Sequence, residues 1–414
     1  MHSVPGNPKR DETLALRREG YRFFINRFER YSSNLFTSRL MLKPALCARG
    51  PEAVALFYRS DKLTRVGAMP PTALRLLQDK RSVQQLDDEA HGERKAMFMA
   101  MMNESSIDRL CALFAGCWQT QVRQWRHCSD VNLMQEVPPI LTRAVCRWAG
   151  VPLPNNELDR RTRELTAMVE QAATVGPAQW RAQYLRHRAE RWARGVVRGA
   201  RHRSVGMDEP LMLIAHHREG RRLLPVKTAA VELLNILRPV VAVTRYIAFI
   251  AHALLHNPLW ARRLRVGDEA DLDSFVQEVR RFYPFFPAVG GRARQAFQWR
   301  GLAVPQGQWL LLDLYGTNHD PDHWNEPWRF QPERFLDAEV ANLLVPQGGG
   351  GVDHSHRCAG EAVTVALMKE AVRRFTQGMH YRVRQQNLAV PLDRLPTAPA
   401  SGMILSDVAP ATGM

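Results

Sequence analysis

The sequence predicts a mostly α-helical protein with a few small β-sheets. Apolar residues recur at three- and four-residue spacing over long stretches, short apolar runs are few, and no linker or internal repeat divides the 414 residues. Such spacing gives a helix one apolar face. A chain of this length with 45% hydrophobic residues can bury a large core. We therefore predict a single domain over residues 1–414.

The periodic stretches predict the helices in chain order. One of them, 226–256, is apolar enough to suggest a membrane span, but Glu232, Asn235, Arg238 and Arg245 interrupt it. Charge at the centre of a bilayer is costly, so we predict a buried helix and no transmembrane segment. The helical stretches are 17–30, 107–126, 131–148, 156–174, 177–200, 226–256, 271–283 and 361–375.

Short apolar runs between the helices indicate strands. They are too brief and too few to form the body of a sheet protein. The runs are 46–48, 54–57, 296–299, 304–314 and 403–406.

The net charge of +16 raises the possibility of a nucleic-acid partner. Many arginines lie in 177–200, where their spacing and interleaved aromatic residues favour an amphipathic helix with a solvated basic face. No recognised nucleic-acid motif accompanies them, and we predict no nucleic-acid partner. The polar start of the chain and six cysteines without CxxC pairs predict a cytoplasmic location.

The strongest chemical signal is the segment 346–360, which reads PQGGGGVDHSHRCAG and precedes a helical stretch. Its glycines allow close backbone approach and unusual turns, and the loop delivers Cys358 to the start of a helix. Amides and the helix dipole at that end favour a thiolate. A thiolate is one of the ligands that proteins offer to haem iron.

This loop resembles the cysteine-ligand loop of the cytochrome P450 superfamily. Two other motifs follow the family order. Glu278 and Arg281 form a Glu-x-x-Arg pair on one helix face, and Arg334, within FQPERF, matches the arginine that joins them. The resemblance implies the helical fold of that superfamily, enclosing one haem b (iron protoporphyrin IX) with Cys358 as the iron ligand. Glu278, Arg281 and Arg334 would be structural.

Two other readings of Cys358 remain. It could be an ordinary buried cysteine, although a glycine-rich loop with a histidine and an arginine beside the sulfur is an unusual setting. It could also share a zinc ion with His354 and His356, but a fourth ligand at recognisable spacing is missing.

The predicted helix 226–256 narrows the resemblance to bacterial fatty-acid peroxygenases. Where oxygen-dependent relatives carry a proton-relay threonine, this chain has Arg238 and Pro239, and the proline should kink the helix. A guanidinium in an apolar helix needs an anion. A fatty-acid carboxylate fits its planar fork, and the alternative is a buried pair with Glu232 or another acid of the protein. The bound carboxylate would then act as the acid-base group.

Other roles come from the resemblance alone. It implies that Gln84 lies on the distal side, where histidine in relatives accompanies decarboxylation to terminal alkenes. Residues implied to bind the haem propionates are Arg65, His91, Lys95 and His356, and those implied to line the acyl channel are Phe285, Phe286, Val289, Met403 and Ile404.

The resemblance therefore implies a haem-thiolate peroxygenase. It would use hydrogen peroxide to hydroxylate medium- or long-chain fatty acids at the alpha or beta carbon, without a redox partner. The alternatives are an oxygen-dependent monooxygenase with redox partners, a fatty-acid decarboxylase and a non-catalytic haem or fatty-acid binding protein.

Overall fold

The computed structural model describes residues 4–204, 206 and 208–411 of the chain. Helices form its body, as the sequence predicts. In chain order they are α1 (Thr13–Glu19), α2 (Arg22–Tyr31), α3 (Pro51–Tyr58), α4 (Pro71–Leu77), α5 (Asp88–Met101), α6 (Glu104–Trp125), α7 (Leu133–Ala149), α8 (Leu158–Glu170), α9 (Pro177–Ala200), α10 (Pro210–His216), α11 (Val226–Ala242), α12 (Thr244–His256), α13 (Pro258–Val266), α14 (Glu269–Phe282), α15 (Leu314–Thr317), α16 (Ala338–Ala341) and α17 (Glu361–Arg373).

The strands form small sheets at the sides of the helical body. The largest has the order β1-β2-β3-β11-β8-β4, in which β11 runs parallel to β3 and antiparallel to β8. A second has the order β12-β13-β5, and β6-β7 and β9-β10 are hairpins. The strands are β1 (Gly6–Asp11), β2 (Leu35–Leu40), β3 (Lys43–Ala48), β4 (Leu63–Thr64), β5 (Val131–Asn132), β6 (Arg218–Glu219), β7 (Arg222–Leu223), β8 (Ala288–Ala293), β9 (Phe297–Trp299), β10 (Leu302–Val304), β11 (Trp309–Asp313), β12 (Met379–Arg382) and β13 (Ile404–Pro410).

The main core is built around α7, α11 and α12. The stretch Val226–His256 is long and apolar enough to cross a membrane, but 94% of its most apolar window is buried inside the protein. Ile247, Phe249 and Ile250 of α12 are fully buried. The apolar character of this stretch is therefore accounted for by core packing.

The predicted single helix 226–256 is two helices. Pro239 lies inside the last turn of α11, which continues to Ala242 before α12 begins at Thr244. Proline removes the amide that would bond the carbonyl of Asn235, but the chain stays helical for three more residues. The boundary between the two helices falls at Val243, four residues after Pro239, and the kink at Pro239 stays a prediction.

Two further sequence assignments need correction. The run 54–57, predicted as a strand, lies inside helix α3, which starts at Pro51 and buries Val54 and Phe57. The predicted helix 17–30 is split at Gly20, whose φ is 57°. A Cβ there would lie 2.4 Å from the carbonyl oxygen of Leu392, so this close approach requires glycine.

The arginine-rich helix α9 has the predicted bounds, but its buried face differs from the expectation. Small residues such as Ala189 and Ala193 face the core, whereas Trp180 and Tyr184 are 69% and 61% exposed. Arg186 is buried and donates to the carbonyl of Leu76 at 2.8 Å. Small side chains on the buried face let α9 pack closely against α8 and α11.

Candidate active site

The cysteine loop lies against helix α3 and ends at α17. Gly348 and Gly350 have φ values of 102° and 77°. A Cβ on Gly348 would lie 2.7 Å from the hydroxyl of Tyr58, so the loop packs too closely for a side chain there. The amide of Cys358 donates to the carbonyl of Gln347 at 3.1 Å. This hydrogen bond fixes the backbone of Cys358 against the start of the loop.

The helix that follows is fixed by Glu361 in its first turn. Its carboxylate accepts from the guanidinium of Arg357, with Nε at 2.6 Å, and from that of Arg280 on α14. Cys358 itself lies two residues before the N-cap, Gly360. Sequence reasoning assigned Glu361 no role, although an acidic residue three residues after the cysteine can be recognised in the sequence.

Cys358 is half-buried. Removal from water raises the pKa of its thiol, while a hydrogen bond from the Gly360 amide and the positive charge of Lys95 act in the opposite direction. Burial therefore opposes the thiolate that the amides and the helix dipole are expected to favour. A bound cation such as iron would supply the remaining stabilisation.

Three residues predicted as propionate ligands meet beside this loop. The rings of His91 and His356 are in contact, with centroids 4.1 Å apart and planes tilted by 35°. Lys95 donates to the carbonyls of Ser355, at 3.0 Å, and of Arg357. His356 Nε2 is 3.9 Å from Asp87 Oδ1.

Arg65, the fourth residue predicted to bind the propionates, interacts electrostatically with both histidines. Its guanidinium donates to the carbonyls of Gly290, at 2.7 Å, and Phe57, at 3.1 Å. Its positive charge lowers the pKa of both His91, which falls to about 4, and His356, although burial is the main cause for each. Asp87 lies beside the histidines, and the carboxylates of Asp353 and Glu361 act on Lys95.

These residues fit a haem. A cysteine stands on a glycine-rich loop at a helix start, and Lys95, Arg65 and the two histidine rings lie beside it. A thiolate sulfur is one of the groups that hold haem iron, and positive charges such as Lys95 and Arg65, together with imidazole N–H donors, suit the carboxylates of its propionates. Cys358 would hold the iron, and His91, Lys95, His356 and Arg65 would face the propionates. For the zinc alternative, the described residues contain no cluster of three or more His, Cys, Asp or Glu side chains suited to a metal ion.

Behind the loop, Glu278 and Arg281 form a buried ion pair. Both are fully buried, and Arg281 binds the carboxylate with two hydrogen bonds of 2.7 Å. Arg334 Nε lies 3.3 Å from the same carboxylate. Arg281 also donates to the carbonyls of Asn318, Pro327 and Arg329. The pair therefore ties α14 to the segment that leads into the cysteine loop.

We expect Arg281→Ala to destabilise the protein by about 3–5 kcal/mol, because it leaves the Glu278 carboxylate buried with too little compensation. Arg329→Ala is a matched control, since Arg329 pairs with Glu326 at the same three-residue spacing but at the surface. Its effect should stay below about 1 kcal/mol. Denaturant unfolding of both variants measures the difference. Equal midpoints would show that the buried pair adds nothing beyond a surface pair.

Across the core, Arg238 of α11 is 5% exposed. Its Nη2 donates to Asn235 Oδ1 at 3.0 Å. Its Nη1 has no hydrogen-bond partner among the described residues. Burial, and then the positive charge of Arg186, lower the pKa of Arg238, and Glu232 only partly offsets them. The buried charge is therefore undercompensated.

Glu232, the alternative partner of Arg238, is bound elsewhere. Its carboxylate pairs with Arg94 at 2.6 Å and accepts from the backbone amide of Val83 at 2.9 Å. Asn235 donates to Glu232 at 2.8 Å and accepts from Arg238, so it links the two. The pairing of Arg238 with Glu232 is thus not observed. Sequence reasoning missed Arg94 and Asn235, since neither belongs to a motif.

Gln84 lies beside the same face of α11. Its Oε1 is 3.4 Å from Asn235 Nδ2. The structure therefore brings Gln84 and Arg238 to opposite sides of one asparagine. This proximity is consistent with the distal position that the resemblance implies for Gln84.

The predicted channel residues lie in different surroundings. Phe285 stacks on Tyr246 with centroids 4.2 Å apart, while Phe286 is partly buried next to the large sheet and Val289 is partly buried within its strand β8. Met403 is fully buried in the main core, and Ile404 of β13 pairs with Asn132 of β5. Their contact with an acyl chain stays a prediction.

Comparison with known proteins agrees with this architecture. The cytochrome P450 family profile matches residues 272–368, the part that holds the ion pair and the cysteine loop. Mouse (Mus musculus) cytochrome P450 3A11 is 28% identical over 115 residues, which are 27% of this chain and 22% of that protein. The aligned part thus spans about a fifth of such curated relatives.

Solved structures match over nearly the whole chain. Cytochrome P450EX alpha (CYP152N1) with myristic acid has a TM-score of 0.95 and 38% identity, covering 99% of this chain and 100% of that one. Cytochrome P450SP alpha (CYP152B1) in complex with (R)-ibuprophen has a TM-score of 0.93 and 41% identity, covering 96% and 99%. A variant of cytochrome P450 OleT in complex with arachidonic acid has 0.95 and 29%, covering 99% of each chain.

The fold and the cysteine loop together define a haem-thiolate oxidoreductase of the cytochrome P450 class. Within that class, this chain belongs to the CYP152 family. The resemblance stated from the sequence is confirmed at this level.

Proposed function

We propose that this protein is a peroxygenase that uses hydrogen peroxide to hydroxylate medium- or long-chain fatty acids at the alpha or beta carbon. The observation that carries the proposal is Arg238, buried on α11 with Nη1 unpartnered among the described residues. A carboxylate can satisfy such a guanidinium through two parallel hydrogen bonds. Two of the similar solved structures contain fatty acids: cytochrome P450EX alpha contains myristic acid, and the OleT variant contains arachidonic acid.

The haem, held by Cys358, would supply the oxidising chemistry that peroxide drives. The protein residues would orient the substrate. Arg238 holds the carboxylate, and Asn235 holds Arg238 by accepting from its Nη2. The carboxylate so placed can accept and return a proton, a role that a side chain normally fills. Because Arg238 anchors the acid end, the carbons next to the carboxylate would be the ones presented for oxidation.

Product analysis tests this function. The purified holoprotein is incubated with decanoic, dodecanoic and myristic acids and hydrogen peroxide, without reductase or NADPH. We expect 2- or 3-hydroxy acids, and no product from the primary alcohols of equal length. Product that requires NADPH and a reductase instead would favour the oxygen-dependent monooxygenase. A cytoplasmic location, independence from redox partners and the absence of a nucleic-acid partner stay parts of the proposal.

Gln84 is proposed to favour hydroxylation over decarboxylation. We expect Gln84→His to raise the ratio of terminal alkene to hydroxy acid, because imidazole adds a group that titrates near neutral pH beside Asn235. Gln85→His is the matched control, since Gln85 is the adjacent glutamine and instead bonds Gln78 at 2.9 Å. Gas chromatography of both product classes gives the ratio. An unchanged ratio in Gln84→His would exclude this role.

A further inference from the structure

A cleft of about 780 Å³ opens beside the start of α11. Its walls come from the β2-β3 turn, the segment that carries α4, the first turns of α11, and residues of β8 and β11. Apolar side chains such as Met69, Leu74 and Trp309 line part of it. Its charged lining has one acid, Asp79, and six basic residues: Lys43, Arg75, Lys80, Arg81, Lys227 and Arg292.

Among the lining residues, only Asp79 carries a negative charge against the six basic side chains. None of the six basic side chains forms a salt bridge with a carboxylate that the structure describes. Arg292 instead donates to the carbonyls of Gly67 and Gly307. Asp79 faces part of this charge, and its Oδ1 accepts from the backbone amide of Arg81. Since like charges in a cleft reinforce one another, the cleft attracts anions.

One wall of the cleft belongs to α11, the helix that carries Arg238. Thr228 and Val231 of α11 line the cleft. Val231 and Arg238 are seven residues apart, which is two helical turns. They therefore lie on the same face of the helix, separated by about 10.5 Å along its axis. Asn235, four residues after Val231 and bonded to Arg238, lies on the same face.

The opposite wall leads to the same place. Arg81 lines the cleft, and two residues later the amide of Val83 donates to Glu232 on α11 at 2.9 Å. Gln84 then reaches Asn235. The segment 79–84 therefore runs from the cleft to the candidate substrate site alongside α11.

We infer that this cleft is the entrance through which the substrate arrives with its carboxylate leading, and that its basic residues capture the carboxylate before Arg238 binds it. The inference rests on the proposed function, which supplies the anionic amphiphile. The apolar lining accommodates the following acyl chain. Electrostatic capture of this kind raises association rates by about 10- to 1,000-fold and weakens with ionic strength.

The test measures association of decanoate with the holoprotein by stopped-flow haem absorbance, without peroxide. Lys80→Glu/Lys227→Glu should lower the association rate constant about tenfold at low salt and flatten its dependence on ionic strength. Binding of 1-decanol, which carries no charge, should change less than about twofold on the same estimate. Lys227 lies in the first turn of α11, where a glutamate is compatible with the helix dipole.

Arg262→Glu/Arg265→Glu is the matched control, because it changes the net charge equally. Both arginines line a separate cavity beside α13 and β12. If the control lowers the association rate constant of decanoate as much as the cleft variant does, the effect comes from the net charge, and the inference is overturned. Unchanged association in the cleft variant also overturns it and leaves the proposed function intact. If decanoate does not bind to wild type while 1-decanol does, the proposed function itself fails.

Discussion

Replacing Cys358 by alanine is expected to abolish the thiolate spectrum and all peroxide-driven turnover. In wild type, reduced protein with carbon monoxide should show the strongly red-shifted Soret band that thiolate ligation gives. Cys358 is the cysteine that the glycine-rich loop presents at the start of α17, with its amide bonded to Gln347. Alanine removes the sulfur but keeps this backbone bond, so the loop should persist.

Cys111→Ala provides the control for this prediction. Cys111 is half-buried like Cys358 but lies in the middle of α6, away from any glycine-rich loop. Burial raises the pKa of its thiol to about 12, and the neighbouring carboxylates of Glu370 and Asp108 act in the same direction. This variant should keep the red-shifted band. If Cys358→Ala keeps the band as well, another residue ligates the iron and the assignment is wrong.

Periodicity was sufficient for most long helices because their buried faces are continuous. It placed α9 and the end of α12 correctly, yet it could not separate α11 from α12, since both are buried on nearly all sides. It also assigned 54–57 to a strand. A run of four apolar residues fits either a strand or a buried helix turn, and the nearby Pro51 was the signal for the helix.

Motifs located the residues of the candidate site, but not their partners. Cys358, Glu278 and Arg281 belong to short patterns whose members lie close in sequence. The link from Arg94 through Glu232 to Asn235 joins residues up to 141 positions apart, counted from 94 to 235. The cleft likewise gathers basic residues from four parts of the chain. Only tertiary packing brings such residues together.

Replacing Arg238 by alanine is expected to leave the haem and its thiolate spectrum intact while lowering fatty-acid turnover with peroxide. The guanidinium is the buried cation whose Nη1 lacks a partner among the described residues. Loss of a charged partner costs about 3 kcal/mol of transition-state stabilisation, which corresponds to a roughly hundredfold lower rate. Arg238→Lys keeps the charge but loses the bidentate fork, so its rate should lie between the two.

A short carboxylic acid separates the role in catalysis from simple binding. Bound at Arg238 beside a non-acidic substrate, it would supply the acid-base group that this substrate lacks. It should therefore stimulate oxidation by wild type but not by Arg238→Ala. Glu232 cannot substitute for it, because its carboxylate is already bound to Arg94, Val83 and Asn235. If Arg238→Ala oxidises fatty acids with peroxide as fast as wild type, substrate-assisted catalysis is excluded, and the oxygen-dependent monooxygenase becomes the better assignment.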